Sequence, residues 1–385
     1  MLEKALQGER KYFGLVGALV VLVGIGFAFF LYQLKVGLVI TGMSRDVSWG
    51  FYIAQLTFLV GVAASAVMLV LPYYLHNYKV FGRIAILGEF LAVSAVLMCG
   101  LFVMVDLGRV DRFVNIMVYP TPNSVLFWDM IVLNGYLVLN IVIGWALLGW
   151  ERRGVKPAKW VKPLIYLSIP WAVSIHTVTA FLYAGLPGRG YWLTAIMAPR
   201  FLSSAFSAGP ALLILLALLL RRMTRFDAGK EALQTLGTIV TYCIILNVFF
   251  FTLELFTVFY SRIPEHMHHF EYLFFGSHGK GAYVAWMWAS YILQVGAIIL
   301  LLRRKVRRNE KLLAVGCGMV FIGTWIDKGM GMIAGGFVPN PLMHVFEYIP
   351  TIPELLISLG VYALGFLVLT ILYKVAVGVK EEIEA

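Results

Sequence analysis

Seven ionisable side chains lie inside apolar stretches of this 385-residue sequence: Glu89, Asp129, His176, Glu254, Asp327, Lys328 and Glu354. A charge within lipid costs ~2.5–3.5 kcal/mol on insertion scales, so such residues are kept where they do something. Their spacing is informative. Asp129, Tyr136 and Asn140 are spaced i, i+7, i+11 and share one helix face. His176, Thr179 and Tyr183 are spaced i, i+3, i+7, and Glu354, Ser358 and Tyr362 i, i+4, i+8, so each set again makes one face. Carboxylate, imidazole and phenol groups in an apolar wall suit binding of a quinone head group and exchange of its protons. An imidazole titrates near ambient pH by itself, and a carboxylate can be brought there by desolvation. Asp129 and His176 are therefore the expected proton-exchanging pair. Lys328 is expected to pair with a carboxylate, and Glu89 to mark the inner interface.

The elements that must position these residues follow from composition. The chain is 61% apolar and 13% charged, where a soluble domain carries roughly 25% charged residues. Such a chain cannot clothe a surface in water. Apolar runs long enough to span a bilayer recur at about 12–34, 49–71, 84–105, 124–149, 163–184, 200–220, 233–260, 280–302, 311–333 and 353–373. The expected fold is all-α: a polytopic membrane protein of about ten transmembrane helices, forming one integral membrane domain over 1–385. The first run has no small-residue cleavage site after it and reads as a retained helix.

The N-terminus, the even-numbered loops and the C-terminus hold 22 of the 31 Lys and Arg residues, the odd-numbered loops 8. The positive-inside rule then puts both termini in the cytoplasm. In that orientation every intramembrane charge except Glu89 falls toward the outer side. The outward segments 106–123, 185–199, 261–279 and 334–352 are long and rich in Pro, His and aromatics, as loops that cover a partner are. The net charge of +11 is spread between apolar runs, which reads as a topology signal and not as a nucleic-acid surface.

Cys99, Cys243 and Cys317 stand far apart with no CxxC or CxxCH, so no iron–sulfur cluster, c-type haem or disulfide framework is expected in this chain. Of seven histidines only His176 lies within a span, whereas bis-histidine haem ligation needs two facing one another. No metal site is expected. A faint internal repeat relates 49–184 to 200–333: Trp49 and Arg200, and likewise His176 and Asp327, are 151 residues apart. It would give two four-helix bundles of like orientation, flanked by the first and last helices.

Certain stretches resemble a known family. Asp106-Leu-Gly-Arg109-Val-Asp-Arg112-Phe, then Ser124 and Trp128-Asp129, is similar to the end of helix three and start of helix four in the NrfD/PsrC-like membrane subunits of polysulfide reductase and related complexes. Ser174-Ile-His176-Thr-Val, Ala198-Pro199-Arg200-Phe and Ser207-Ala-Gly209 resemble the branch with the hydrogenase membrane subunit, and most nearly the DsrP-like subunit of the sulfite-reduction-associated complex. The resemblance covers most of the chain. It implies a haem-free and metal-free subunit of the cell membrane that binds menaquinone near the outer face. It also implies docking beneath a ferredoxin-like iron–sulfur subunit, often beside a multihaem cytochrome c. Asp106, Arg109 and Arg112 fit the family's helix-three motif, Trp128 and Asp129 helix four, and His176 helix five. Gln33, with Tyr32 and Lys35, lies where helix one would line the pocket. With Trp49 and Tyr136, these complete the expected quinone-lining set. The inner half offers few titratable groups (Glu89, with Asn140 and Asn247), so proton exchange at the outer side without pumping is expected.

Two other classes compete. A secondary transporter would suit ten helices and a repeat, but places its charges near the midplane on broken helices. A purely structural anchor for redox subunits would not need a polar stripe on helix four.

Overall fold

The computed structural model describes every residue except Asn77, Pro187 and Ala385. Among the described residues ten helices are long and apolar enough to cross a membrane: α1 (Arg10–Val36), α2 (Phe51–Tyr74), α3 (Ala85–Asp106), α4 (Val125–Arg152), α5 (Val161–Ala184), α6 (Met197–Met223), α7 (Lys230–Tyr260), α8 (Val284–Leu301), α9 (Glu310–Phe337) and α10 (Ile352–Ile383). The protein is an all-α, polytopic, integral membrane protein, with no strand among the described residues. Large apolar side chains such as Ile292, Tyr242, Phe256 and Val21 are exposed on the flanks of the spans, as a lipid-facing surface requires.

Two spans depart from regular α-helix. Within α2, residues 64–66 form a turn and Leu71–Leu75 a π-helical segment containing Pro72. Within α9, Asp327–Gly331 is π-helical. A π-turn rotates the remainder of its helix, and here Asp327 and Lys328 both point into the protein. Prolines also lie inside α5 (Pro170) and α6 (Pro210), each removing one backbone bond from its helix.

Packing falls into two chains of neighbours. α2 packs on α3, α3 on α4 and α4 on α5; α6 packs on α7, α7 on α8 and α8 on α9. The sets meet where α2 lies against α6, α5 against α6 and the π-turn of α9 against α2. α10 covers α3, and α1 packs chiefly on α10. That last contact needs glycine: a Cβ on Gly26 would lie 2.5 Å from the Gly360 Cα. α1 therefore stands at the rim with much of its surface exposed.

Both termini meet at one end, where Lys4 pairs with Glu382 (2.7 Å) and Lys380 with Glu151 (2.7 Å). The opposite end carries the long connections. There Pro264–Phe275 forms a helix that buries His269, Phe270, Tyr272 and Leu273. The 338–351 segment is held down by Asn340 on Asp46 (2.8 Å), Lys280 Nζ on the Val345 carbonyl (2.8 Å) and Tyr348 on Glu354 (2.6 Å).

Candidate functional site

Three groups of buried polar residues converge inside this frame, toward the end with the long connections. The first lies under α1. Gln33 is the inward residue of its turn, while Tyr32 and Lys35 face out. Its Nε2 donates to the Val105 carbonyl (2.6 Å) and its Oε1 accepts from the Tyr52 hydroxyl (2.8 Å), so one side chain bridges α1, α2 and α3. Asp106, next to Val105, has its Oδ1 shielded from solvent without a hydrogen-bond partner. Glu354 is within electrostatic reach of both Tyr52 and Asp106. It is itself saturated by Gly42 N (2.8 Å), Thr351 N (2.8 Å) and the Tyr348 hydroxyl.

The second group lies between α4 and α5. Asp129, Tyr136 and Asn140 are all buried, as are His176, Thr179 and Tyr183, so each predicted face points inward. The Thr179 hydroxyl lies 2.6 Å from Asp129 Oδ1, and Asp129 has no ion-pair partner among the described residues. Tyr183 hydrogen-bonds Thr57 on α2 and packs edge-on to Trp49 (5.6 Å between centroids). Tyr183 thereby ties α5 to α2, the helix that also carries Tyr52. His176 Nδ1 bonds the Ala172 carbonyl (2.8 Å), and its Nε2 is buried without a partner. Tyr136 sits two turns deeper than Asp129, where Asn140 bonds its carbonyl (2.7 Å).

The third group is the charge centre of the second helix set. Arg200 on α6 donates to Glu254 of α7 (2.7 Å), Asp327 of α9 (2.8 Å) and Tyr291 of α8 (3.2 Å); Tyr291 also donates to Asp327 (2.9 Å). Arg200 is 1% exposed, and its guanidinium lies over the Phe251 ring at 4.9 Å. Two hydrogen-bonded carboxylates make burial of this cation tolerable. Lys328 does not share them. Its ammonium lies 4.1 Å over the Phe201 ring and has no hydrogen-bond partner. The expected Lys328–carboxylate pair is displaced because the planar, five-donor fork of Arg200 serves both acids at once.

The second and third groups meet at a water-sized void of about 10 Å³ lined by His176, Thr324, Lys328, Phe201 and Thr57. Three of its polar atoms, His176 Nε2, Thr324 Oγ1 and Lys328 Nζ, are buried and unpartnered. The void is too small for an aromatic ring, so a quinone does not fit beside His176 in this conformation.

Other expected site residues lie apart. Arg109 is exposed and pairs with Asp111 (2.8 Å); Trp128 is 47% exposed and donates to the Pro122 carbonyl (2.8 Å). Both stand on the outside of the long-connection end. Trp49 is half-buried among Tyr183, Trp192 and Phe337. Sequence reasoning missed Arg200 and Tyr52 as site residues. The sequence hints only that a cation is needed, since Glu254 and Asp327 are two acids and Lys328 is the one cation well inside the same spans; it does not single out Arg200. Among the described residues no three His, Cys, Asp or Glu side chains group as metal ligands would.

Residues 39–339, well over half the chain, match the family model described as polysulphide reductase, NrfD. The chain is 29% identical to a putative dimethyl sulfoxide reductase membrane subunit of Halobacterium salinarum, over 92% of this chain and 89% of that protein. It is 25% identical to a selenate reductase subunit of Mesobacillus selenatarsenatis, over 88% of each. It is also 25% identical to an Hdr-like menaquinol oxidoreductase integral membrane subunit of Archaeoglobus fulgidus, over 65% of this chain and 62% of that protein.

Proposed function

The chain belongs to the polysulphide reductase NrfD family, and from that premise we propose that it is the quinone-handling membrane subunit of a multi-subunit oxidoreductase. Its relatives are named as subunits of reductase or menaquinol oxidoreductase complexes, which supports assembly with redox partners. Menaquinone is the proposed quinone. An iron–sulfur subunit of ferredoxin type is the proposed neighbour at the long-connection end, with a multihaem cytochrome c beyond it, in a complex of the DsrP-like, sulfur-metabolising kind. The skewed distribution of Lys and Arg supports placing both termini in the cytoplasm and the site toward the outer side of the cell membrane. The parallel packing of α2–α5 and α6–α9 supports the two-bundle repeat.

The observation that carries the reading is the group under α1: Gln33, Tyr52 and an Asp106 oxygen that is shielded and unpartnered. The free Asp106 oxygen can face a ring hydroxyl, and the second Nε2 proton of Gln33 can be offered to a ring carbonyl. α1 adjoins lipid, so a tailed ligand could reach them laterally. A quinone held there would supply two-electron, two-proton redox chemistry. The chain's own part is to hold the head group and move protons. Asp106 Oδ1 can take or give a proton at the ring. Asp129 lies deeper, its carboxyl bonded by the Thr179 hydroxyl and without a cation, while Tyr183, one turn from Thr179 on the same face, bonds Thr57 of α2. His176 Nε2 faces the void beyond. Arg109 and Trp128, exposed at the outside, suit partner contact better than the ring.

Asp129→Asn and His176→Ala in the assembled complex test this reading. Each should leave assembly intact and slow quinol-coupled electron transfer by ~10²-fold or more, as expected when a positioned proton-exchange group is lost. Normal turnover in both would remove them from the chemistry.

A further inference from the structure

A second polar cavity, of about 250 Å³, lies at the terminal end of the molecule, away from the group under α1 and from Asp129 and His176. One wall is the short helix Arg304–Arg308 between α8 and α9. Arg304, Arg307 and Arg308 line the cavity; their i, i+3, i+4 spacing puts them on one face of that helix. Buried Val306 pins the helix to the body of the protein. Arg307 is held in place by bonds to the Leu301 and Leu302 carbonyls at the end of α8. The opposite wall is the first turns of α7, which present Glu231, Gln234, Thr235 and Thr238, again on one helix face.

Among the described residues none of the three arginines forms an ion pair with a carboxylate. Nearby Glu310 is occupied by Arg221, and Glu231 is exposed at the rim. The cavity therefore keeps a net charge of about two positive units, with amide and hydroxyl groups across from the guanidiniums. It also sits beside the ends of two membrane-length helices, the start of α7 at Lys230 and the end of α8 at Leu301. Along the same two helices Leu246, Phe249, Ile292, Val295 and Ile299 present exposed apolar surface. Guanidiniums bind phosphate oxygens through paired N–H donors, and basic pockets between spans at this level suit acidic headgroups.

We propose that this cavity is a binding site for the phosphodiester headgroup of an anionic phospholipid, with the acyl chains lying along α7 and α8. Free phosphate shares the headgroup chemistry but gains nothing from the apolar surface below.

The test uses the full-length protein in nanodiscs of phosphatidylcholine and phosphatidylglycerol, with retained lipid counted by native mass spectrometry. A cation near an anionic lipid is worth about fivefold in affinity, so R304Q/R307Q/R308Q should reduce the preference for phosphatidylglycerol by about a hundredfold. R152Q/R153Q, in another basic loop of the same end, should leave it unchanged. An unchanged preference in the triple variant overturns the proposal. So does loss of the wild-type preference on adding millimolar inorganic phosphate at constant ionic strength, which would mark a free-anion site. Should the triple variant fail to assemble, the wild-type chain is cross-linked with photoactivatable phosphatidylglycerol. Adducts within 231–238 and 304–308 support the site, and adducts spread evenly over the terminal end overturn it.

Discussion

Replacing Arg200 by Gln should be among the most damaging single changes in this protein, and the structure says why. The guanidinium is the hydrogen-bonded cation for two acids, at 2.7 Å from Glu254 and 2.8 Å from Asp327. One unit pair ~4 Å apart is worth ~4 kcal/mol at an effective dielectric constant of ~20. Removing one partner of a buried pair costs ~3–5 kcal/mol, because a charge is left uncompensated. Lys328 cannot take over as it stands, being placed over Phe201 without a hydrogen bond. The assay is unfolding of the purified protein in mixed micelles titrated with denaturing detergent, followed by circular dichroism. Arg200→Gln should lose ~3–5 kcal/mol. Adding Glu254→Gln and Asp327→Asn should return part of that loss, with a coupling of ~1–3 kcal/mol. The reasoning fails if Arg200→Gln alone costs under ~1 kcal/mol, or if the three changes simply add.

Other outcomes follow from packing and burial. Gly26→Leu should loosen α1 from α10, since even a Cβ there meets Gly360; proteolysis of the region 37–48 should accelerate relative to wild type. His269, buried in the Pro264–Phe275 helix, is held by desolvation at a pKa of about 4, below its ordinary 6.5. It must stay neutral to fold, while the unfolded chain binds its proton first, so stability is full above pH 6.5 and falls as pH drops toward 4. The loss approaches ~3 kcal/mol at the acid end, and His269→Gln should flatten that part of a stability–pH curve.

Much of the fold was legible because lipid imposes a simple rule: backbone must be helical and long enough. Each expected span overlaps one helix, within a few residues at most ends, the tenth excepted: it runs to Ile383 where the expected end is 373. The ninth is longer than expected, Glu310–Phe337 against 311–333. Its glycines and its charges, which dilute the apolar signal, are accommodated by the π-turn at Asp327–Gly331. The eighth is shorter, starting at Val284 instead of 280, because Ser277 and Lys280 close a turn. The helical faces were legible too, since Asp129 and Thr179, separately placed by spacing, meet at 2.6 Å. Arg200 was not. At the start of a run it looks like a loop cation, and only the fold places it opposite Glu254 and Asp327. Tyr52 and the shielded Asp106 oxygen were equally hidden, because spacing along one helix does not say which neighbour it will face. Whether Gln33 turned inward or Tyr32 did was likewise a matter of tertiary packing, settled by the Gly26–Gly360 crossing.

The most direct test of the central claim is binding at the group under α1. The purified protein, with its partners retained, is titrated with a fluorescent quinol analogue and compared with Gln33→Leu. The account predicts saturable quenching that menaquinone displaces, and a Kd raised about tenfold in Gln33→Leu, the worth of one or two hydrogen bonds. Quenching that never saturates, or an affinity indifferent to Gln33→Leu, would contradict it.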